Sequence, residues 1–303
     1  MVNFIKIATV KVTFYIVLVL LAISYNGDAL SGEIIIKQEK QGVWILERTI
    51  NKNINEERKI FFYRSHGSSA SDKDKDRNHY LHPLMAPDGK TVLTEDSPSD
   101  HLHHRGVFWA WHEIAINNQK VADGWLLQDI KWQLKSLEFN KVDNQLLLNV
   151  HWLTGKDKKA TISEQTIITI SPLINGKQQL DFDINLTALV AGVSLAGLQK
   201  LKGYGGFSVR FKHAEHLSFN STIGKIKPSK LQLTAPAPLK LAWPTLANMP
   251  TVAISCQAQG KLIEQWIIRN STSMQNCVWP GTEPVSLSRS NSINLQATLM
   301  ITQ

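Results

Sequence analysis

Residues 145–186 read QLLLNVHWLTGKDKKATISEQTIITISPLINGKQQLDFDINL and carry the clearest strand pattern of the chain. Apolar and polar side chains alternate with period two within residues 145–152, 161–170 and 179–186. This alternation puts apolar side chains on one face of an extended strand and polar side chains on the other. The turn-forming sequences Gly155-Lys156-Asp157 and Asn175-Gly176-Lys177 separate the runs. The stretch therefore predicts three antiparallel strands connected by hairpins.

The same alternation recurs along most of the chain after Gly32. The further runs are residues 33–37, 43–48, 59–63, 131–139, 207–211, 251–255, 262–268 and 292–301. No amphipathic helix of useful length competes with them, and no fixed repeat period is present. We therefore predict an all-β fold, a large antiparallel β-sandwich, formed as a single domain by residues 32–303.

Composition excludes several classes of protein. A chain of 303 residues with 43% hydrophobic and 19% charged residues can bury a large core, so it is globular rather than disordered. The net charge of +8 comes without long basic blocks, and we expect no nucleic-acid partner. The two cysteines are too few for a four-thiolate zinc site or a disulfide scaffold.

The first 31 residues have the layout of a secretory signal. Lys6 and Lys11 precede an apolar run at residues 12–23, which is shorter than the roughly 20 residues of a spanning helix. Cleavage after Ser24 or Ser31 satisfies the small-residue rule. We predict a periplasmic or extracellular protein, with no membrane contact after cleavage. That compartment permits a disulfide between Cys256 and Cys277; the alternative is two buried, reduced thiols.

Histidines concentrate in one window. Six of the ten lie between residues 79 and 112, at His79, His82, His101, His103, His104 and His112. If residues 100–105 are extended, His101, His103 and Arg105 share one face. His101 or His103 could then exchange a proton with substrate, and Arg105 could bind an anionic group.

Two other interpretations of this window remain open. A transition metal could bind to ligands drawn from His82, His101, His103 and His104, although we expect no cofactor in the leading hypothesis. Alternatively, the histidines bond to backbone carbonyls and Arg105 pairs with Glu95 or Asp96. His82 precedes Pro83, which holds it extended and suits a substrate-binding side chain.

Aromatic and glycine-rich segments add candidates. Trp109 and Trp111 share a strand face and could stack on a sugar, although strand tryptophans usually belong to the core. Trp125 and Trp132 are expected to be packing residues. At residues 202–210 a glycine-rich bend leads into a strand, and it supplies Tyr204 as a catalytic acid or base and Arg210 as a substrate-binding residue.

Together these motifs resemble a bacterial family labelled "methane oxygenase PmoA" or domain of unknown function. The matching segments are Tyr80 to Leu84, Pro87 to Gly89, Pro98 to Arg105, Phe108 to Trp111 and Tyr204 to Arg210. The resemblance implies a sandwich similar to the galactose mutarotase and polysaccharide lyase supersandwiches, in which His, Tyr and carboxylate groups act on sugars. Methane oxidation is discounted, because the membrane-bound enzyme needs several spanning helices.

Three functions follow from these residues. The leading hypothesis is a secreted carbohydrate-active enzyme that uses His101, His103 and Tyr204 as acid and base on an oligosaccharide or uronic acid, by epimerisation, elimination or hydrolysis. The second is a metal-dependent enzyme with histidine ligands, and the third is a non-catalytic carbohydrate-binding protein that uses Trp109 and Trp111. The sequence leaves the sugar, the reaction and the oligomeric state open.

Overall fold

The computed structural model of the chain describes residues 32–51, 54–67, 77–198, 202–271 and 274–303. The predicted signal segment, residues 1–31, lies outside these residues. Within the described ranges, no helix has the length and apolar character needed to cross a membrane.

Strands account for almost all of the regular structure. In chain order they are β1 (Glu33–Glu39), β2 (Gly42–Asn51), β3 (Ile54–Arg64), β4 (Tyr80–Leu84), β5 (Val107–Trp111), β6 (Glu113–Ile116), β7 (Gln119–Ala122), β8 (Ile130–Asn140), β9 (Gln145–Thr154), β10 (Lys159–Ile170), β11 (Lys177–Ala188), β12 (Val193–Ala196), β13 (Gly205–Arg210), β14 (Ser218–Ser221), β15 (Gly224–Ile226), β16 (Leu233–Thr234), β17 (Leu239–Ala242), β18 (Thr251–Ala258), β19 (Lys261–Leu262), β20 (Gln265–Ile268), β21 (Met274–Cys277), β22 (Val285–Ser286) and β23 (Ile293–Thr302). A short 3-10 helix spans Ala214–His216.

These strands form three sheets among the described residues. The front sheet has nine strands in the order β1-β2-β3-β4-β5-β13-β21-β20-β16. The back sheet has ten, in the order β15-β14-β17-β18-β23-β11-β10-β9-β8, with β19 beside β18. A small sheet follows the order β22-β12-β6-β7. Neighbouring strands of both large sheets run antiparallel. The predicted all-β antiparallel fold is confirmed.

The main core lies between the front and back sheets. Along β9 and β11, buried residues alternate with partly exposed ones, so one face of each strand points inward. Aromatic rings meet across the interface: Trp111 of β5 lies 5.7 Å from Trp152 of β9, and Trp109 lies 6.1 Å from Phe182 of β11, between ring centroids. The period-two pattern of residues 145–186 thus provides three adjacent strands of the back sheet and their inward-facing side chains.

A buried carboxylate connects the two sheets through hydrogen bonds. Glu164 of β10 has no exposed surface and accepts hydrogen bonds from the indole nitrogens of Trp109 (2.9 Å) and Trp152 (2.8 Å). His79, which precedes β4, contacts the same carboxylate through Nε2 at 2.6 Å, and its Nδ1 lies 2.8 Å from the Tyr63 hydroxyl. Burial raises the pKa of Glu164, but the charge and hydrogen bond of His79 outweigh it, so the pKa is lowered. Glu164 is therefore held as an ion inside the core.

A covalent link joins the sheets at a second place. Cys256 of β18, in the back sheet, forms a disulfide with Cys277 of β21, in the front sheet. Both residues are 1% exposed. Because they are 21 positions apart, the bond closes a short loop, for which the chain-entropy relation gives a stabilisation of about 3 kcal/mol.

Candidate functional site

The histidine-rich segment before β5 is a compact loop. The His101 amide donates to the Pro98 carbonyl and the His104 amide to the His101 carbonyl, which are turn hydrogen bonds. The Ser97 amide closes the loop on the His104 carbonyl at 3.0 Å. Pro98 favours such a turn because its ring fixes φ near the turn value. Residues 100–105 are therefore not extended, and the expected strand face shared by His101, His103 and Arg105 does not form.

The loop brings three imidazoles together. The His101 and His104 rings stack with centroids 4.6 Å apart, and the His103 ring meets the His104 ring edge-on at 4.6 Å. Neighbouring residues in a turn do not point to opposite faces as they do in a strand. His104 therefore lies with His101 and His103, although an extended strand would have separated it from them.

These imidazoles line a cavity of about 330 Å³ on the outer face of the front sheet. Beside it, Phe108 and Ala110 of β5 pack with Tyr80, Trp125 and Met274 in a small apolar cluster of their own, which Tyr204 also contacts. The cavity is lined by His101, His103, His104, His112, Trp125, Leu126, Leu198, Lys202, Tyr204, Arg269 and Met274. A volume near the lower limit for small-molecule sites suits a ligand of one or two sugar units.

His112, which follows β5, is the most strongly supported imidazole in the cavity wall. Its Nδ1 lies 3.0 Å from Oδ2 of the buried Asp123 and donates to that carboxylate, which leaves the lone pair on Nε2. Asp123 is itself fixed by the Leu126 amide at 2.8 Å and by the Lys120 ammonium at 2.9 Å. Burial raises the pKa of Asp123, but the hydrogen bond and charge of His112 outweigh it and the pKa is lowered. A fixed carboxylate on Nδ1 orients the imidazole and leaves Nε2 as its proton acceptor, as a general base requires.

Tyr204 lies next to this pair. Its ring centroid is 6.0 Å from that of His112, and the Trp125 indole stacks near both rings, at 5.3 Å from Tyr204 and 5.4 Å from His112. The Tyr204 hydroxyl accepts a hydrogen bond from an Arg269 guanidinium nitrogen. Burial raises the pKa of Tyr204 and exceeds the opposing effect of Arg269, so the phenol is protonated at neutral pH.

His103 is held in its neutral form. Burial, followed by the positive charge of the buried Arg77, lowers the pKa of His103 to about 4. Burial also lowers the pKa of His104, whose Nδ1 faces the Arg210 guanidinium at 3.4 Å and accepts from it. Both rings are therefore uncharged hydrogen-bonding groups at neutral pH.

An ion-pair network supports the loop from behind. Arg210, at the end of β13, donates to Glu95 at 2.9 Å and to both carboxylate oxygens of Asp100 at 2.9 and 3.1 Å. Asp100 in turn lies 3.1 Å from His101 Nδ1. Arg210 thus positions His101 and His104 and is not among the cavity-lining residues.

A profile of a protein family matches most of the chain. It covers residues 53–303 and describes a family of unknown function, DUF6807. The chain belongs to the DUF6807 family. The methane-oxygenase label of the resemblance finds no support in this match. No curated protein matches the sequence. One solved structure, a Salmonella typhimurium protein described as a "putative mutarotase", is 9% identical, with a TM-score of 0.41 over 89% of this chain and 94% of that chain.

Several predicted site residues of this DUF6807 chain lie away from the cavity. Arg105 is buried and pairs with Asp96 at 3.1 Å, as in the alternative interpretation of the window. His82 of β4 bonds to the Thr94 hydroxyl at 3.0 Å instead of facing a ligand. Trp109 and Trp111 are 1% and 0% exposed in the core, so neither can stack on a sugar. The reason is that β5 is buried on both faces, and alternation along the strand turns Trp109 and Trp111 towards the sandwich core.

The positions of the histidine side chains test the alternative of a transition-metal site. His82 is held at Thr94, apart from the three imidazoles of the loop. Throughout the part of the chain that the structure describes, no group of three or more His, Cys, Asp or Glu side chains is arranged to hold a metal ion. The proposed ligand set therefore gains no geometric support.

Several residues of the cavity region were given no functional role from the sequence. Trp125 was assigned to packing, but it also lines the cavity, and Arg269 and Lys202 were not singled out. His112 was counted in the histidine cluster but was given no catalytic role. Its partner Asp123 is eleven positions away in the sequence and is brought beside it only by the hairpin between them. The spacing His112 to Asp123 spans β6 and β7, whose pairing returns the chain to the same place. The sequence Asn117-Asn118 is typical of a hairpin turn, so it could have predicted that Asp123 lies close to His112.

We expect the stability of this DUF6807 protein to fall between about pH 6.5 and pH 4. His103 has an ordinary pKa of 6.5 and a folded pKa of about 4, and His82 shows the same lowering through burial. In that interval the unfolded chain binds protons that the folded chain does not, so acidification favours unfolding. Thermal unfolding followed across this range should show a declining Tm. The variant His103→Gln should flatten the decline, and an unchanged slope would contradict the assignment.

Proposed function

We propose that the cavity is the active site of an enzyme that transfers protons on a carbohydrate, acting on an oligosaccharide or a uronic acid. One observation carries the proposal: a carboxylate-supported imidazole, His112, and a protonated phenol, Tyr204, lie 6.0 Å apart between ring centroids in the wall of one cavity. A base and an acid at this separation can both reach one small substrate. The protein would act in the periplasm or outside the cell, as its first 31 residues predict.

The roles follow from the protonation states. His112 Nε2 takes the proton from the carbon next to a uronate carboxylate, and the electron pair of that C–H bond forms a C=C double bond. The bond from the neighbouring carbon to its oxygen breaks, and Tyr204 gives its proton to the departing oxygen. If that bond stays intact, a proton returned to the other face of the same carbon inverts its configuration. Elimination and epimerisation therefore share their first step at this site.

The neighbouring groups fit a sugar. His103 is neutral, so it can exchange hydrogen bonds with hydroxyl groups, or accept a proton in place of His112. Trp125 and Leu126 supply apolar surface for the C–H face of a ring. Hydrolysis by a pair of carboxylates is less well supported, because the described residues that line the cavity include no Asp or Glu.

The experiment is incubation of the purified protein with uronate oligosaccharides of plant and marine origin. Elimination is expected to produce ultraviolet absorbance from the new double bond. Epimerisation in deuterated water is expected to introduce one deuterium per turnover, which mass spectrometry detects. The absence of both signals across uronates that bind to the protein would overturn the proposal.

A further inference from the structure

The charges around the cavity are unbalanced. Its lining includes two permanent cations, Lys202 and Arg269, and no carboxylate among the described residues. Carboxylates nearby are already neutralised: Asp123 by Lys120, and Asp100 by Arg210. Cations that face a partly enclosed, low-dielectric space without counter-charges attract an anion.

Both cations lie beside the same aromatic ring. The Arg269 guanidinium carbon is 5.3 Å from the Tyr204 ring centroid, and the Lys202 ammonium is 6.0 Å from it. In the described part of the chain, neither forms an ion pair with Asp or Glu. Arg269 donates to the Tyr204 hydroxyl and, at 3.0 Å, to the Lys230 carbonyl, while its Nε is buried without a hydrogen-bond partner. The Nε is enclosed, so Arg269 would attract an anion through the charge of its guanidinium.

A third cation lies deeper in the wall. Arg77 is 1% exposed, and its guanidinium carbon lies 4.6 Å from the Phe108 ring and 4.9 Å from the Trp132 ring. It donates to the Gly124 carbonyl at 2.5 Å. Among the residues described, no carboxylate forms an ion pair with it. Arg77 therefore adds positive potential to the cavity without contacting a ligand.

We infer that the cavity binds a sugar acid, whose carboxylate lies between Arg269 and Lys202 beside the Tyr204 hydroxyl. This inference rests on the proposed function, because it names the substrate class of the same site. A planar guanidinium matches the two oxygens of a carboxylate, and an ammonium adds a second charge without a fixed direction. The site assigns to Arg269 and Lys202 the anion-binding role that the sequence analysis gave to Arg105.

A carboxylate bound between Arg269 and Lys202 would also favour the proposed proton transfer. Proton removal next to a carboxylate places negative charge on the carboxylate oxygens in the transition state. Fixed cations at those oxygens stabilise that charge, as preorganised donors do in other acid–base enzymes. A neutral sugar would leave both cations without a partner and would lack the acidic carbon.

The test is calorimetric titration of the intact protein with glucuronate, glucose and inorganic sulfate. We expect glucuronate to bind at least 10-fold more tightly than glucose, with an affinity that falls as salt rises. Sulfate should bind more weakly than glucuronate, because it lacks the ring that contacts Trp125. Equal affinity for glucose and glucuronate, or sulfate binding as tightly as glucuronate, would overturn the inference.

Variants locate the anion. Arg269→Gln is expected to weaken glucuronate binding about 10- to 100-fold, the loss typical of a charge-assisted hydrogen-bonding group. Lys202→Gln gives a second measurement should Arg269→Gln fail to fold. Lys240→Gln is the matched control, because Lys240 is exposed on β17 and does not line the cavity. Unchanged affinity in both cavity variants contradicts the inference.

The two proposals fail in different ways. The protein could bind glucuronate through Arg269 but form no double bond and incorporate no deuterium. That result would support the anion site and overturn the proposed function. Turnover of a neutral oligosaccharide that is unaffected by Arg269→Gln supports acid–base catalysis and overturns the sugar-acid inference.

Discussion

Replacement of His112 by alanine is expected to lower turnover of a uronate substrate by about 100- to 10,000-fold, the usual contribution of a general base. The loss should appear in kcat, because proton removal belongs to the transition state, while the affinity for substrate should change little. Measurement of initial rates by absorbance of the unsaturated product checks this. Asp123→Asn should give a smaller loss of turnover, because an amide stabilises the imidazolium that forms during the reaction less than a carboxylate does.

The matched control is His151→Ala. His151 lies on β9 in the back sheet and does not line the cavity, so its replacement should leave turnover unchanged. Tyr204→Phe removes the acid while retaining the ring, and its rate should fall with that of His112→Ala. His103→Ala tests the other imidazole that could act as base. Full turnover in His112→Ala with a large loss in His103→Ala would transfer the role of base to His103.

Replacement of Glu164 by glutamine is expected to destabilise the fold by about 3–5 kcal/mol, the usual cost of removing one member of a buried charged pair. The glutamine amide would meet the indole N–H groups of Trp109 and Trp152, which are donors, and His79 would lose its counter-charge. Urea unfolding at neutral pH measures the change. Glu138→Gln on the exposed side of β8 is the control and should lie within about 0.5 kcal/mol of the parent.

The pH dependence of this pair has a definite sign. The folded pKa of Glu164 is lower than its ordinary value of 4.5, so its stabilising contribution is present above about pH 4.5 and is lost as the carboxylate becomes protonated at lower pH. Glu164→Gln should lack this contribution, so its free energy of unfolding should decline less steeply than that of the parent as the pH falls below about 4.5. A parent-like free energy of unfolding for the variant would show that the carboxylate is not needed to hold the sheets together.

Much of the fold could be predicted because strand patterning is local. Residues 145–186 show which side chains point inward, and the structure pairs β9 with β10 and β10 with β11 in the expected antiparallel order. The same logic failed on β5. All five of its residues are buried, so alternation could not tell the face in the sandwich core from the face that packs against Trp125 and Met274 beside the cavity.

The candidate site was predicted in part. The histidine window and Tyr204 do meet in one cavity, at the edge of strands that are far apart in the sequence but adjacent in the front sheet. Arg105 was placed in the site because an extended segment was assumed, whereas the loop hydrogen bonds turn it towards Asp96. Arg269 could not be found from the sequence, because nothing near it in the chain indicates that β21 pairs with β13.

The amino-acid order by itself determined the strand content of the chain, the inward faces of its long strands and the concentration of titratable groups before β5. These properties depend on residues within a few positions of one another, and the backbone geometry of one strand or turn is enough to express them. Tertiary structure alone decided which imidazole receives a carboxylate, which tryptophans are enclosed and which cations remain without a counter-charge. Those outcomes depend on strand order and burial, which bring together groups such as His104 and Arg269, 165 positions apart. Burial also sets the local dielectric, which lowers the pKa of His103 and His104.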